Sequence, residues 1–324
     1  MRVLVTGASG YLGSRIVPEL LRRGHEVVAS GTGKAPPDAP WVDQADWRQV
    51  DVFDLRVLAA ALADVDAVVY LIHGLGDVDF SRMDLEAAEN MRDAVDVAGV
   101  RRVVYCSGIV PDVSDEKLSE HLRSRLEVEE ILAQSHASTL ALRAAIVVGA
   151  GSTSFEVVRQ ISERLPLVQT IPSWMRDTVV QPIAVADAVR YVAEAVERTD
   201  VTGHLDVAGP DRVTYPELLD LYADAAGLTR VQVPVPAIPE DVVGWLAGQL
   251  TDVDTATVQS LLASLRHDMV ADLGPATAAF GPHEGVSLSE AVRQAIAPDP
   301  PSPAERDGAA IGGLPARPSS VDRI

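Results

Sequence analysis

Apolar positions in the first half of the chain fall into short blocks separated by amphipathic stretches. Val3–Thr6, His25–Ala29, Trp47–Val52, Arg102–Cys106 and Thr139–Val148 read as strands. Ala67–Ile72 is a continuous apolar run, the mark of a strand buried on both faces. Between these blocks, Tyr11–Arg23, Leu55–Ala63, Asp84–Ala98 and Leu118–Gln134 carry helical spacing. Gly24 and Gly99 close two of these helices, as a glycine just past a helix end does. Strands alternating with helices over residues 1–150 predict a doubly wound parallel α/β sheet, since parallel neighbours need helical crossovers.

The second half is more mixed. Phe155–Leu165, Val185–Glu197, Tyr215–Ala226 and Glu240–Leu250 read as helices, and His204–Val207 as a strand. Ser287 followed three residues later by Glu290 is a capping-box pattern that opens a last helix, reaching about Ile296. Residues 151–297 therefore supply the remaining sheet elements and a smaller, mostly helical substrate-side lobe. Residues 298–324 are rich in proline, glycine and serine with no apolar period, and are expected to be a disordered tail. No internal repeat is visible.

Composition narrows the function. The 324-residue chain is 47% hydrophobic and 23% charged, enough for a sizeable core and too apolar for general disorder. Its formal net charge of -20 repels phosphate backbones and anionic lipid, which argues against nucleic-acid and membrane partners and leaves a small-molecule substrate, or none. Cys106 is the single cysteine, so no intrachain disulfide framework exists. No signal-peptide pattern and no 18-residue apolar run are seen, which together with the cysteine usage predicts a cytoplasmic protein. The seven histidines show no metal-ligand spacing, so no metal is expected. Nothing in the sequence sets an oligomeric state.

The sharpest motif is Thr6-Gly7-Ala8-Ser9-Gly10-Tyr11-Leu12-Gly13, a GxxGxxG spacing between the first strand and the first helix. Gly7 permits the tight turn, Gly10 lets the backbone approach a pyrophosphate, and Gly13 lets the helix pack close. The helix N-terminus offers N–H groups and the positive end of its dipole to the phosphates. This context predicts a Rossmann domain that binds a nicotinamide dinucleotide. NAD-selective sites carry an acid at the end of the second strand, but that region here reads Val28-Ala29-Ser30-Gly31-Thr32-Gly33-Lys34. Arg15 and Lys34 could instead meet a 2′-phosphate, or serve as ordinary surface residues. The expected cofactor is NADP, with NAD also admissible.

Further segments carry a resemblance: Asp51-Val52, Tyr70-Leu71-Ile72-His73, Tyr105-Cys106-Ser107-Gly108, Leu142 to Gly149, Gln181 to Asp187 and Val207-Ala208-Gly209-Pro210. With the glycine loop they resemble the extended and atypical short-chain dehydrogenases/reductases, and within them the NAD(P)H-binding, NmrA-like branch, over about residues 1–230. The resemblance implies that Asp51 and Val52 lie at the adenine and that Leu71, Ile72 and His73 line the cofactor cleft. It also implies that Arg143 to Ile146, with Ala144 among them, close over the nicotinamide, and that Asp187 ties the second lobe to the sheet. His73 reads equally as a cleft residue or a loop donor. Ser154, Phe155, Glu156 and Trp174 read either as the substrate mouth or as packing.

The family's reductases use a tyrosine as proton donor, a lysine four residues later, and a serine that orients the carbonyl. Lysine is needed because an unperturbed phenol has a pKa of about 10. The only lysines here are Lys34 and Lys117, and the positions four before them hold Ser30 and Val113, so no Tyr-x-x-x-Lys exists. His121 stands in the tyrosine place and Arg125 in the lysine place, while Ser107 is retained. One reading makes His121 a proton donor near neutrality, with Arg125 depressing its pKa and Ser107 orienting the substrate. The other makes His121 and Arg125 cofactor-site or helix-surface residues. The chain is thus expected to be an oxidoreductase of altered mechanism, acting on a small organic or isoprenoid-like carbonyl or alkene. A non-catalytic NADP(H)-binding redox sensor or assembly subunit is the alternative, and an epimerase-like enzyme ranks below both.

Overall fold

A computed structural model describes residues 1–74, 80–165, 167–236 and 238–297; the segment expected to be a disordered tail, 298–324, lies outside them. The elements run β1 Arg2–Val5, α1 Gly13–Arg22, β2 Glu26–Gly31, β3 Asp46–Gln49, α2 Leu55–Leu62 and β4 Ala67–Tyr70. Next come α3 Phe80–Ala98, β5 Arg102–Gly108, α4 Glu120–Ala133, β6 Ser138–Ala144, β7 Val147–Val148 and α5 Thr153–Arg164. Then follow β8 Val168–Pro172, β9 Val179–Val180, β10 Ile183–Ala184, α6 Val185–Glu197, β11 Gly203–Val207, β12 Val213–Thr214 and α7 Tyr215–Ala225. The chain closes with β13 Val231–Val235, α8 Glu240–Gln249, α9 Thr255–Ala263, α10 Leu273–Phe280 and α11 Leu288–Ile296.

Seven strands form one sheet in the order β11-β6-β5-β4-β1-β2-β3, every neighbouring pair parallel. Alternation along the strands builds two cores. Val3, Val5, Val27, Ala29 and Val69 point to the face covered by α1 and α6, where Ile16, Leu20, Val189 and Val192 pack. Leu4, Val28, Val68 and Tyr70 point to the face covered by α2, α3 and α4, where Leu58, Met91, Val95 and Val128 pack. Burying both faces removes polar alternation from the central strands, which is why Ala67–Tyr70 reads as an unbroken apolar block. Arg102 is fully buried at the start of β5, where its guanidinium donates to Ala195 O, Val201 O and Ser138 O and ties the sheet to α6. Burial lowers its pKa to about 10.

The expected strand Thr139–Val148 is two strands. β6 ends at Ala144, and β7 pairs instead with β10 outside the main sheet. Beyond the sheet, β8 and β13 form a parallel pair, and α5, α7, α8, α9 and α11 build two further clusters, one around Phe155, Leu218, Tyr222 and Val292 and a smaller one around Val258. Asp187 is buried at the join. Its carboxylate accepts from Val286 N at 2.7 Å and meets His283 Nε2 at 2.7 Å. It therefore ties the lobe to α6, as its position in the resemblance implied.

Candidate active site

The strand order reverses between β1 and β4, so the connections after these two strands leave in opposite directions and open a crevice at their C-terminal ends. A cleft of about 1990 Å³ begins there and runs into the second lobe. Its first wall is the glycine loop. Gly7 has φ +61°, and its carbonyl accepts from Gly10 N at 2.9 Å, which folds the loop back on itself. A Cβ on Gly13 would lie 2.3 Å from Gly7 O and 2.7 Å from Ala8 Cα, so only glycine lets α1 start this close to the loop. Among the described residues, Ser9, Leu12 and Gly13 direct no backbone N–H to a protein acceptor, and α1 has no side-chain cap. Uncapped N–H groups at a helix start, beside a cradle that a side chain would fill, fit a dinucleotide pyrophosphate.

The expected cofactor residues divide. Gly7, Ser9, Gly10, Tyr11, Leu12, Gly13, Leu71, Ile72, His73 and Ala144 all line the cleft. Leu71 is held there because its N–H donates to Thr6 Oγ1 at 2.9 Å. Ala8 is fully buried behind the loop, with its N–H on Ser30 O. Arg15 packs inward. It is 1% exposed, stacks 4.0 Å from the Tyr11 ring, and donates to Tyr11 O and Ala150 O. Its guanidinium therefore fastens α1 to the loop that leads into α5. Lys34 is exposed on the loop after β2, two residues beyond the cleft-lining Thr32. Asp51 is exposed and bonds Phe53 N, while Val52 is buried with its carbonyl on Asn90. The cleft wall at that place is Phe53, 42% exposed. It is an apolar side chain that the composition of a strand-end turn does not single out.

At the other end of the crevice, β5 delivers Ser107 and α4 delivers His121 and Arg125, all on the cleft wall. Ser119 caps α4 by accepting from Leu122 N, which sets the helix so that residues 121 and 125 share one face. Arg125 Nε donates to His121 Nε2 at 3.1 Å, and its Nη1 donates to Cys106 O at 3.0 Å. An imidazole that accepts at Nε2 is neutral, with its proton on Nδ1 as assigned from this bond. Burial, the Arg125 charge and His73 together push the His121 pKa well below its ordinary value. Both the bond from Arg125 and the lowered pKa favour the neutral imidazole. His73 is exposed on the cleft wall, where desolvation and the Arg125 charge lower its pKa. Burial raises the Cys106 thiol to about 12, so Cys106 is no nucleophile. The Ser107 hydroxyl is buried with no protein partner among the described residues.

Asp84, which the sequence hid inside an ordinary helical pattern, joins this group. It is 6% exposed on the cleft wall, accepts from Gly74 N at 2.5 Å, and meets Ser124 Oγ at 3.3 Å. Burial raises its pKa against those hydrogen bonds and the pull of Arg125. Of the residues expected at the substrate mouth, Ser154 and Glu156 line the cleft, while Phe155 is fully buried edge-on against Tyr222. Trp174 donates to Ile238 O.

Residues 7–166 match the family described as NAD(P)H-binding. This segment is an NAD(P)H-binding domain. An uncharacterized protein of Mycobacterium tuberculosis is 29% identical over 236 residues, 72% of this chain but 24% of that protein, so the chain spans about a quarter of that relative's length. The maize divinyl chlorophyllide a 8-vinyl-reductase is 29% identical over 264 residues, covering 75% of this chain and 64% of the reductase. A Streptomyces 3-diazoavenalumate denitrifying reductase is 26% identical over 285 residues, covering 78% and 90%. Among solved structures, a nucleoside-diphosphate-sugar epimerase from Staphylococcus aureus superposes with TM-score 0.72 at 17% identity, covering 90% of this chain and all of that one. The Bordetella bronchiseptica enzyme WbmG, in complex with NAD and UDP, gives TM-score 0.66 at 18% identity, covering 96% and 95%. The NAD(P)H-binding domain thus sits in a fold shared with these epimerase structures. Among the described residues no helix is long and apolar enough to cross a membrane.

Proposed function

We propose that the protein is a cytoplasmic NADP(H)-dependent reductase that adds hydride to a polarised double bond of an organic substrate, without the tyrosine–lysine proton relay. One observation carries this reading. The glycine loop and the unpartnered Ser107 hydroxyl line a single cleft with Arg125, and that cleft continues into the second lobe. A bound nicotinamide would supply the hydride. The chain's own residues do the rest. Ser107 donates a hydrogen bond to the substrate oxygen, and Arg125 stabilises the negative charge that develops there. His121, neutral and bonded to Arg125, is a positioning residue that fixes the guanidinium. The atoms balance as substrate plus NADPH plus one solvent proton giving the saturated product plus NADP⁺. The hydride goes to the electron-poor atom, and the proton to its partner.

The NADP preference rests on the absence of an acid at the end of β2, and on Thr32 and Lys34 at the place where a 2′-phosphate would sit. The two similar reductases support the class of reaction, and the single thiol fits a reducing compartment. The test is NADPH oxidation with a panel of enones and aldehydes, using 4-deuterated cofactor. Deuterium in the product establishes reduction. Tight NADPH binding with no transfer to any member of the panel rejects it in favour of a sensor.

A further inference from the structure

The far half of the cleft has the wrong charges for a nucleotide sugar. The whole cleft is lined by two arginines and no lysine among the described residues. Arg125 stands at the Ser107 end. Arg159 is neutralised by Glu156 and Glu163, each at 2.6 Å. The other carboxylates on the wall are Asp84, Asp254 and Asp252, the last paired with Arg164. Among the described residues, a diphosphate entering the far half would meet carboxylates and no cation without a carboxylate partner. Several solved structures with this fold carry nucleotide-sugar chemistry in their descriptions, which makes a nucleotide sugar the natural contrasting ligand.

What the far half offers is apolar. Ile161, Leu165, Ile171, Met175, Leu219 and Leu265 converge on it from α5, β8, α7 and the turn after α9. Its polar side chains are largely occupied by the protein itself. Gln160 takes Asp252 N at 2.7 Å, and Ser264 pairs with Ser119 at 2.9 Å. Gln169 is the exception. It lies on the cleft wall, is 1% exposed, and its Oε1 has no partner among the described residues. Such an orphaned amide atom costs stability unless a ligand meets it. The mouth is apolar as well. Val242, Trp245 and Leu246 on α8 are 42%, 53% and 47% exposed, and Leu246 also lines the cleft.

We infer that the substrate is a large apolar molecule without phosphate, of isoprenoid or polycyclic size, carrying one hydroxyl that meets Gln169 at the end remote from hydride transfer. This inference rests on the reductase reading above. The test uses 3-alken-2-ones of increasing chain length, with and without a terminal hydroxyl, and UDP-glucose as the contrasting ligand. Catalytic efficiency, kcat/KM, is expected to rise about three- to fourfold per methylene until the cleft is filled. The terminal hydroxyl is expected to add about fivefold at the longest chains. Gln169→Leu should erase that hydroxyl preference, and Leu246→Arg should flatten the chain-length gradient. UDP-glucose should neither react nor inhibit at millimolar concentration. Competitive inhibition by UDP-glucose, or efficiency independent of chain length, would overturn the inference. If no alkenone turns over, displacement of Nile red from NADPH-saturated protein separates the two ideas. Displacement by long alkenones keeps the apolar site and rejects the reductase, whereas no displacement rejects the site.

Discussion

Substituting Gly13 by alanine tests the geometry of the glycine loop at its tightest point. The new Cβ would sit 2.3 Å from Gly7 O and 2.7 Å from Ala8 Cα, both backbone atoms that cannot rotate away. An ordinary contact is about 3.5 Å, so the loop must recede by about 1 Å. Overpacking of this kind costs about 1–3 kcal/mol, and the better helix propensity of alanine returns up to about 1 kcal/mol. Net destabilisation is therefore about 1–2 kcal/mol, a modest fall in Tm. The effect on cofactor binding is larger. The Gly10 N to Gly7 O bond that shapes the cradle is displaced, and the loop N–H groups lose their aim. Hydrogen bonds to a charged phosphate contribute about 1.5–3 kcal/mol each, so losing one weakens NADPH binding by about 10- to 100-fold. Gly24→Ala is the control. Gly24 has φ +84° with nothing within 4 Å of an added Cβ, so the change costs about 1 kcal/mol of backbone strain and leaves affinity intact. Fluorescence titration of NADPH beside thermal melts reads both quantities. Wild-type affinity in folded Gly13→Ala would refute the cradle.

Three further outcomes are expected. His121 has a folded pKa below the unfolded value of about 6.5, so the unfolded chain binds the extra proton and stability is lost as pH falls below that value. The loss approaches about 1.4 kcal/mol per pH unit, and His121→Gln, which keeps an acceptor for Arg125, should make the unfolding free energy from urea titrations less acid-sensitive by that much; an unchanged pH profile contradicts the buried neutral ring. Arg125→Met should lower kcat by about 100-fold, with Arg125→Lys recovering part of it, because the charge facing the substrate oxygen is lost; equal kcat in all three proteins would remove Arg125 from the chemistry. Arg102→Ala should cost about 3 kcal/mol in chemical denaturation without altering kcat, since one buried and two partly buried carbonyls lose their donor far from the cleft.

Much of the sheet was legible because parallel strands covered on both faces leave unbroken apolar runs, and because glycines punctuate the helices. The pairing of His121 with Arg125 was legible too, since residues four apart on a helix must share a face. What stayed hidden depends on long-range closure. Nothing local to Arg15 reveals that Ala150, 135 positions later, completes its burial. Asp84 is an acid in an amphipathic helix until Gly74 and Ser124 fold around it. The two-residue strands β7 and β10 and the β8–β13 pair are short, and their partners lie far apart in sequence. α9 and α10 went unread because their short segments are rich in alanine and threonine and lack a strong apolar period, although Asp254 and Asp272 cap them.

The most direct measurement is a calorimetric titration of the full chain with NADPH and with NADH. Saturable binding at one site per chain is predicted, tighter for NADPH. Absence of heat and of nicotinamide fluorescence change with both coenzymes would contradict the account at its root.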